Sequence, residues 1–335
     1  MAQGAGRIIG VDVARCIALF AMFAAYTMPE VGTEPVTVFS DYLAMPLFAL
    51  LLGASAYFSS QQMSGTFLFA SSVVRGLILI VLGLWLLNLG APVDDVILQY
   101  LGLLSVVVVP FVFLPSWALA GVAAVIAVAS PYVLQWAAPI HTQLVVEGSL
   151  LAYPMGWMFA GSHYRVFTML CWALLGILIA RGMERWGIWG DLALAAVSTL
   201  LVGGIFWYTR PAGSLLVYSG DHLEIVFNAA LSAAVVGWCC VLARVLGARE
   251  VLLFPLVAPG RMTLSLYVLH VILLAFYLKQ APRWGLASTV ETWPVFAVCM
   301  VGAVLFAVVW TRLLGNTALR RGPLESVMAL LTGRG

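Results

Sequence analysis

Long uninterrupted apolar runs constrain this chain more than any other feature. A run of about 20 apolar residues can cross a bilayer as a helix. Ten such runs are read here, over 9–28, 41–59, 73–90, 97–114, 116–135, 166–182, 189–208, 224–245, 258–278 and 292–314. In hydrocarbon every backbone polar group needs an internal partner, so only helices or closed barrels can span. A barrel would show runs of about ten residues alternating apolar and polar, and that alternation is missing. Only 9% of the residues are charged, against about 25% in a soluble domain, so lipid must cover part of the surface. The expected fold class is all-α: a polytopic integral membrane helix bundle with about ten transmembrane helices.

Basic residues give the expected orientation, because Lys and Arg favour the cytoplasmic side. With the N-terminus inside, the cytoplasmic ends carry Arg7, Arg75, Arg181, Arg185, Arg244, Arg249, Arg312, Arg320, Arg321 and Arg334. The outer loops carry only Arg165, Arg210, Lys279 and Arg283. The outer loop 29–40 holds Glu30 and Glu34 without a basic residue, and loop 90–96 holds Asp94 and Asp95. Both termini are therefore expected in the cytoplasm. The first run holds Asp12 and Arg15 and lacks a small-residue cleavage site, so it reads as a spanning helix rather than a signal peptide.

Residues 1–317 read as one transmembrane helical domain and 318–335 as a cytoplasmic interfacial tail. Within that tail 318–331 reads as a short interfacial helix, in which Arg320 and Arg321 would meet lipid phosphates while Val327, Met328, Leu330 and Leu331 dip inward. The longest non-spanning stretch, 136–165, is aromatic-rich (Trp136, Tyr153, Trp157, Phe159, Tyr164), as suits an interface. A net charge of +2 is too small to suggest nucleic acid. Cys16, Cys171, Cys239, Cys240 and Cys299 lie inside apolar runs with no CxxC or Cys/His metal spacing, and read as small core residues with no metal expected.

Charged groups inside a span usually face a partner or a cavity. Asp12 and Arg15, three residues apart, share one helix face and read either as an end-of-helix pair or as part of a cytoplasm-facing anion pocket. Gln99 and Tyr100 open the fourth span next to Asp94 and Asp95. His163 and Arg165 open the sixth, as a base beside an anion clamp or as an interfacial pair. The densest outer cluster is Tyr218-Ser219-Gly220-Asp221-His222-Leu223-Glu224. There Asp221 and Glu224 either tune His222 as a general base or form the acidic first turn of a helix. His141 has no ionisable neighbour and reads as a loop residue. Arg261, Thr263, Tyr267 and His270 are expected to form one polar stripe down the ninth span, with His270 near mid-membrane. This distribution by depth fits a protein that binds an anionic donor inside and serves an acceptor outside. A transporter or flippase would show a similar polar path.

The opening Arg7-Ile8-Ile9-Gly10-Val11-Asp12-Val13-Ala14-Arg15-Cys16 through Phe23 resembles the R-x4-D-x-x-R-G start of a membrane acyltransferase group. That group comprises heparan-α-glucosaminide N-acetyltransferase-like proteins and bacterial proteins of the domain-of-unknown-function 418 type. Phe48 to Ala56 (FALLLGASA) is similar to the group's second helix. Arg75-Gly76 and Ile97-Leu98-Gln99-Tyr100 are similar to its third and fourth. Ala258-Pro259-Gly260-Arg261-Met262-Thr263-Leu264 with Tyr267 to His270 resembles its G-R-M-x-L-T-x-Y region, and Arg321-Gly322-Pro323-Leu324-Glu325 its R-G-P-x-E close.

The resemblance implies transfer of an acyl group from cytosolic acyl-CoA, acetyl-CoA first among them, to a glycan or lipid acceptor on the outer side. It makes Asp12, Arg15, Arg75, Arg261 and Tyr267 donor-pocket candidates, since an Arg fork suits CoA phosphates. His163, His222, Glu224 and His270 become candidates for the acid–base chemistry. Tyr26, Gln99, Tyr100, Arg165, Tyr218 and Asp221 become candidates for acceptor binding. Membrane lipid is the expected surrounding partner and a homodimer a candidate assembly. The chain departs from the group's pattern at Tyr26, where relatives tend to have His, at Val217-Tyr218-Ser219-Gly220, where they tend to have Pro-His-Ser-Gly, and at Cys16, where they have Gly. Tyrosine, with a pKa of about 10, is a poor base at neutral pH. The base has therefore moved, or the chemistry is altered or lost, which keeps a non-catalytic membrane partner protein open as a third reading.

Overall fold

The computed structural model describes residues 9–29, 34–90, 96–209, 215–246, 250–286 and 288–333. Arg7, Glu30, Asp94, Asp95, Arg210, Arg249 and Arg334 lie outside the described residues. Within the described part the chain is helical and contains no strand. The helices are α1 (Ile9–Thr27), α2 (Glu34–Ser60), α3 (Gly65–Leu87), α4 (Leu98–Val107), α5 (Ser116–Val146), α6 (Ala152–Met155) and α7 (Val166–Met183). They continue with α8 (Ile188–Thr209), α9 (His222–Leu246), α10 (Glu250–Arg261), α11 (Thr263–Gln280), α12 (Trp293–Leu314) and α13 (Pro323–Leu331). Nine of the described helices are long and apolar enough to span, and the apolar segments Leu98–Phe113 and Leu252–Arg261 are shorter. Large apolar side chains such as Trp117, Trp189, Trp207 and Val301 are exposed. A protein surrounded by water would not carry so much apolar surface, whereas lipid accepts it.

Five expectations about the elements change. The run 97–114 is not one helix: Pro110 sits where α4 gives way to a 3-10 turn over Val109–Phe113, because proline lacks the amide donor an α-helix needs. The run 116–135 extends to Val146 as a single helix with Pro131 and Pro139 inside it, so much of the expected outer loop 136–165 is helix. The rest includes a π-helical turn over Gly156–Ala160. α2 begins at Glu34, inside the expected loop 29–40. The run 258–278 breaks at Met262, whose backbone (φ −120°, ψ 29°) is non-helical, so Arg261 ends α10 while Thr263 begins α11. The expected single stripe from Arg261 to His270 is therefore carried by two helices. The tail helix is shorter than 318–331, and of its apolar side chains Met328 is buried while Val327, Leu330 and Leu331 are exposed.

The chain divides into two compact units. The first comprises residues 1–44, 81–96 and 238–335. In it α1 is the most enclosed span. α1 packs on α10, α12 and α11, and α11 also carries α13. Val13, Ala14, Cys16, Leu19 and Phe23 form its buried face. Gly260 makes the α1–α10 crossing close, because a methyl group there would overlap the backbone carbonyl of Asp12.

The second unit comprises residues 45–80 and 97–237. Its most enclosed span is α7, which packs on α5, α4 and α8. Gly53 of α2 meets the Ala173 carbonyl of α7, and Gly176 of α7 meets the Leu50 carbonyl of α2, each too closely for a side chain. Small residues let helix backbones approach in this way where lipid removes the hydrophobic drive between helices. Polar bonds pin the same bundle. Trp172 Nε1 donates to the Ile225 carbonyl at 3.1 Å, and Ser130 and Thr168 share a hydrogen bond of 2.7 Å. Arg181 donates to Ser116 Oγ and to the carbonyls of Val112 and Leu114, tying down the turn that leads into α5.

Candidate functional site

Two constellations of polar residues are built, one in each unit. In the first unit, Asp12 is fully buried on α1 and its carboxylate holds two guanidinium groups. Arg15 Nη1 donates to Oδ1 at 3.0 Å, and Arg261 Nε donates to Oδ2 at 3.2 Å. The close approach at Gly260 is what brings the end of α10 near enough for the second bond. A buried carboxylate is stable only when paired, and here each oxygen has a cationic donor. Both Arg side chains keep partial exposure, 25% and 38%. One carboxylate thus fixes two planar forks in place, and the three formal charges sum to one positive, an arrangement suited to an oxyanion ligand.

The same unit shows what the R-G-P-x-E segment does. Gly322 sits at φ 109°, a backbone state that strains any residue with a side chain, and Pro323 starts α13. This turn aims Glu325 at the start of α11, where Met262 offers no side-chain cap. The Glu325 carboxylate accepts the amides of Leu264 at 2.8 Å and Ser265 at 3.0 Å, and the hydroxyl of Ser265. Glu325 therefore caps a helix that begins some sixty residues earlier in the chain. Burial pushes its carboxyl above the ordinary value, against the lowering effect of those hydrogen bonds. Farther along, His270 of α11 is buried beside Phe23 and Tyr26 of α1, with ring centroids 4.5 and 6.2 Å apart. Tyr267, one turn earlier, is also buried.

In the second unit the loop 215–221 wraps the start of α9. Glu224 accepts the amide of Tyr218 at 2.8 Å, the amide of Gly220 at 2.5 Å and the hydroxyl of Ser219 at 3.1 Å. Arg165, also buried, donates from Nη2 to the Tyr218 carbonyl at 2.7 Å and lies against Gly220. Burial pulls its guanidinium down from the ordinary value, and the nearby charges of Glu224 and Asp221 oppose that. Tyr218 holds a left-handed backbone, φ 60°, so its ring meets the edge of His163 at 5.0 Å and Tyr164 at 6.2 Å, while Tyr164 in turn meets Tyr100 at 5.4 Å. His163 Nδ1 also lies 3.1 Å from Ser162 Oγ.

The expectation that Asp221 or Glu224 orients His222 is corrected. His222 turns away, and its Nε2 donates to the Val128 carbonyl at 3.0 Å beside Tyr132. Glu224 instead holds the loop, the structural alternative that its first-turn position allowed. Gln99 and Tyr100 are buried in α4, Arg75 is half-buried in α3, and His141 packs against Gly156. Asp12, Arg15 and Arg261 thus come together, as do Tyr26 with His270, and His163, Arg165, Tyr218 and Glu224. Phe23 and Ser265 were not singled out by sequence, Tyr164 was noted only among the aromatics of the 136–165 stretch, and Glu325 was noted without a role. A glutamate two residues after Gly-Pro is the one signal that would have pointed to a cap.

These helices and their buried ionic clusters define the class: a polytopic all-α protein with multiple membrane-competent helices. Residues 178–334, just under half of the chain, match the family model described as Protein of unknown function (DUF418), which supports a relationship to that family. No curated protein matches the chain.

Proposed function

We propose that the protein is a membrane-embedded acyltransferase of bacterial plasma-membrane type. It takes an acyl group from cytosolic acyl-CoA and passes it to a hydroxyl or amine of an envelope glycan or lipid on the other face. The supporting observation is the Asp12 cluster, in which one buried carboxylate presents the partly exposed Arg15 and Arg261 forks. Fixed guanidinium groups match phosphate oxyanions, and CoA carries several. The residues that carry the acyltransferase resemblance supply this cluster and its scaffold: Asp12 and Arg15 from the opening segment, Gly260 and Arg261 from the middle, and Glu325 from the close.

The test is incubation of purified protein with radiolabelled acetyl-CoA and envelope extract, comparing wild type with Arg15→Ala and Arg261→Ala. Wild type is expected to bind CoA and label an acceptor, and each variant to weaken CoA binding tenfold or more. If wild type neither binds CoA nor transfers label, the acetyl-CoA reading fails. A transporter would instead move substrate across vesicles without forming a labelled acceptor. Orientation is read separately from a cysteine at Val36, an exposed position on α2. Because the five native cysteines are buried, labelling of that site from outside intact cells supports a cytoplasmic N-terminus, and protection overturns it.

A further inference from the structure

α1 and α11 lie along each other in the same direction, and the seam between them has two different ends. At one end Asp12 binds Arg261, the residue that closes α10 just before α11 begins. At the other, Phe23 and Tyr26 of α1 lie beside His270 of α11. At 1.5 Å per residue, the eleven steps from Asp12 to Phe23 separate the ends by about 16 Å. Tyr267 lies on the His270 side of α11, one turn nearer the ionic end.

The His270 end is chemically out of place as packing. The residue is 3% exposed, and neither Nδ1 nor Nε2 has a hydrogen-bond partner among the described residues. A neutral imidazole carries one donor and one acceptor, and burial without partners is costly for both. A leucine or phenylalanine would occupy the same place between Phe23 and Tyr26 without that cost. A buried polar group without a protein partner calls for an explanation, and a bound molecule that supplies the partner is one.

We infer that His270 is the substrate-touching base, and that the α1–α11 seam takes an acyl-CoA lengthwise. This inference rests on the acyltransferase reading. The anionic nucleotide end lies at Asp12, Arg15 and Arg261, the pantetheine arm follows the seam, and the thioester reaches His270. The acceptor hydroxyl or amine attacks the thioester carbonyl carbon while the imidazole takes its proton. A new C–O or C–N bond forms, the C–S bond breaks, and the thiolate leaves. The imidazolium returns the proton to that thiolate, so the products are acylated acceptor and CoA, and His270 ends as it began. His163, whose ring edge is set against Tyr218, and His222, bonded to Val128, have protein partners of their own.

The test uses the full chain in nanodiscs and the variants His270→Phe and His270→Ala, with CoA and radiolabelled acetyl-CoA as probes. CoA affinity is expected to stay within about twofold of wild type in both. Transfer to acceptor in envelope extract is expected to fall at least about a hundredfold, the scale of a lost general base. The thermal midpoint of His270→Phe is expected at or above wild type, since a polar group without protein partners has been replaced by an apolar ring. Added imidazole is expected to restore part of the transfer in His270→Ala and none in His270→Phe, whose ring fills the space. Transfer by His270→Phe within threefold of wild type overturns the assignment and leaves the acyltransferase reading standing. A His270→Phe protein with lowered midpoint and lost CoA binding shows a structural residue, and also overturns it. Wild type that neither binds CoA nor transfers label overturns the reading and this inference together.

Discussion

Replacing Gly260 with alanine tests the donor cluster and the helix crossing with one methyl group. The added Cβ would overlap the Asp12 carbonyl oxygen. Ordinary C···O contacts run about 3.3–3.6 Å, so α10 must retreat from α1 by more than about 1 Å. Arg261 Nε starts 3.2 Å from Asp12 Oδ2, and that retreat takes it to beyond about 4 Å, past hydrogen-bond range. Overpacking of this kind costs about 1–3 kcal/mol, and weakening one side of a buried carboxylate pair adds to it. A total on the order of 3 kcal/mol corresponds to a drop of about 6 °C, at about 2 °C per kcal/mol for a chain of this size. Gly302, midway along α12 with nothing within 4 Å of its added Cβ, supplies the control. There the same substitution should stabilise by about 0.5–1 kcal/mol, because alanine loses less freedom on forming a helix. Thermal unfolding in detergent, with CoA titration of the folded protein, reads both. If Gly260→Ala unfolds within 1 °C of wild type and binds CoA as tightly, the close crossing does not position Arg261.

Glu325→Ala removes the cap of α11 and leaves the Ser265 hydroxyl without its acceptor, at a cost of about 2–3 kcal/mol, read as a lower midpoint. The pH dependence has a definite sign. The carboxyl is raised in the folded state, so folding takes up protons, and this group's contribution falls as pH rises from its ordinary value through the folded one. Glu325→Gln should flatten that slope in a midpoint-versus-pH series, and an unchanged slope would assign it to another group. Gly53→Ala and Gly176→Ala should each destabilise the α2–α7 crossing by about 1–3 kcal/mol. The double variant should cost less than the sum, since the first methyl already parts the helices; strict additivity in the cycle would mean that the two sites do not share one interface.

The spanning helices were legible because hydrophobicity is summed over about twenty residues and no tertiary contact is needed to see it. The break at Met262 was not, because Arg261-Met262-Thr263 itself holds no proline or glycine to mark a helix end. Pro259-Gly260 read equally well as the entry to a span, and the break shows only in the Met262 backbone. The length of α5 was missed for the opposite reason, as Pro131 looked like an end and is held inside one helix. Asp12 and Arg15 were recognisable as a pair from their spacing alone, whereas Arg261 joins them from 249 residues away. Glu325 could be seen as part of a motif, but its chemistry belongs to α11. The His222 reading failed because Asp221 and Glu224 are near it in sequence, while its actual partner, Val128, lies on α5.

The Asp12 cluster also has an order in time. The ribosome delivers Asp12 and Arg15 within moments of each other, and Arg261 long afterwards. A lone charge entering hydrocarbon costs at least a few kcal/mol, so α1 would enter the bilayer poorly with its carboxylate uncovered. Arg15, one turn along, travels with it and makes α1 a near-neutral passenger. Arg261 then arrives to turn that neutral pair into a positive group. Loss of Arg15 therefore harms insertion of α1 itself, while loss of Arg261 harms only the finished protein, and pulse-labelled insertion intermediates would tell the two apart.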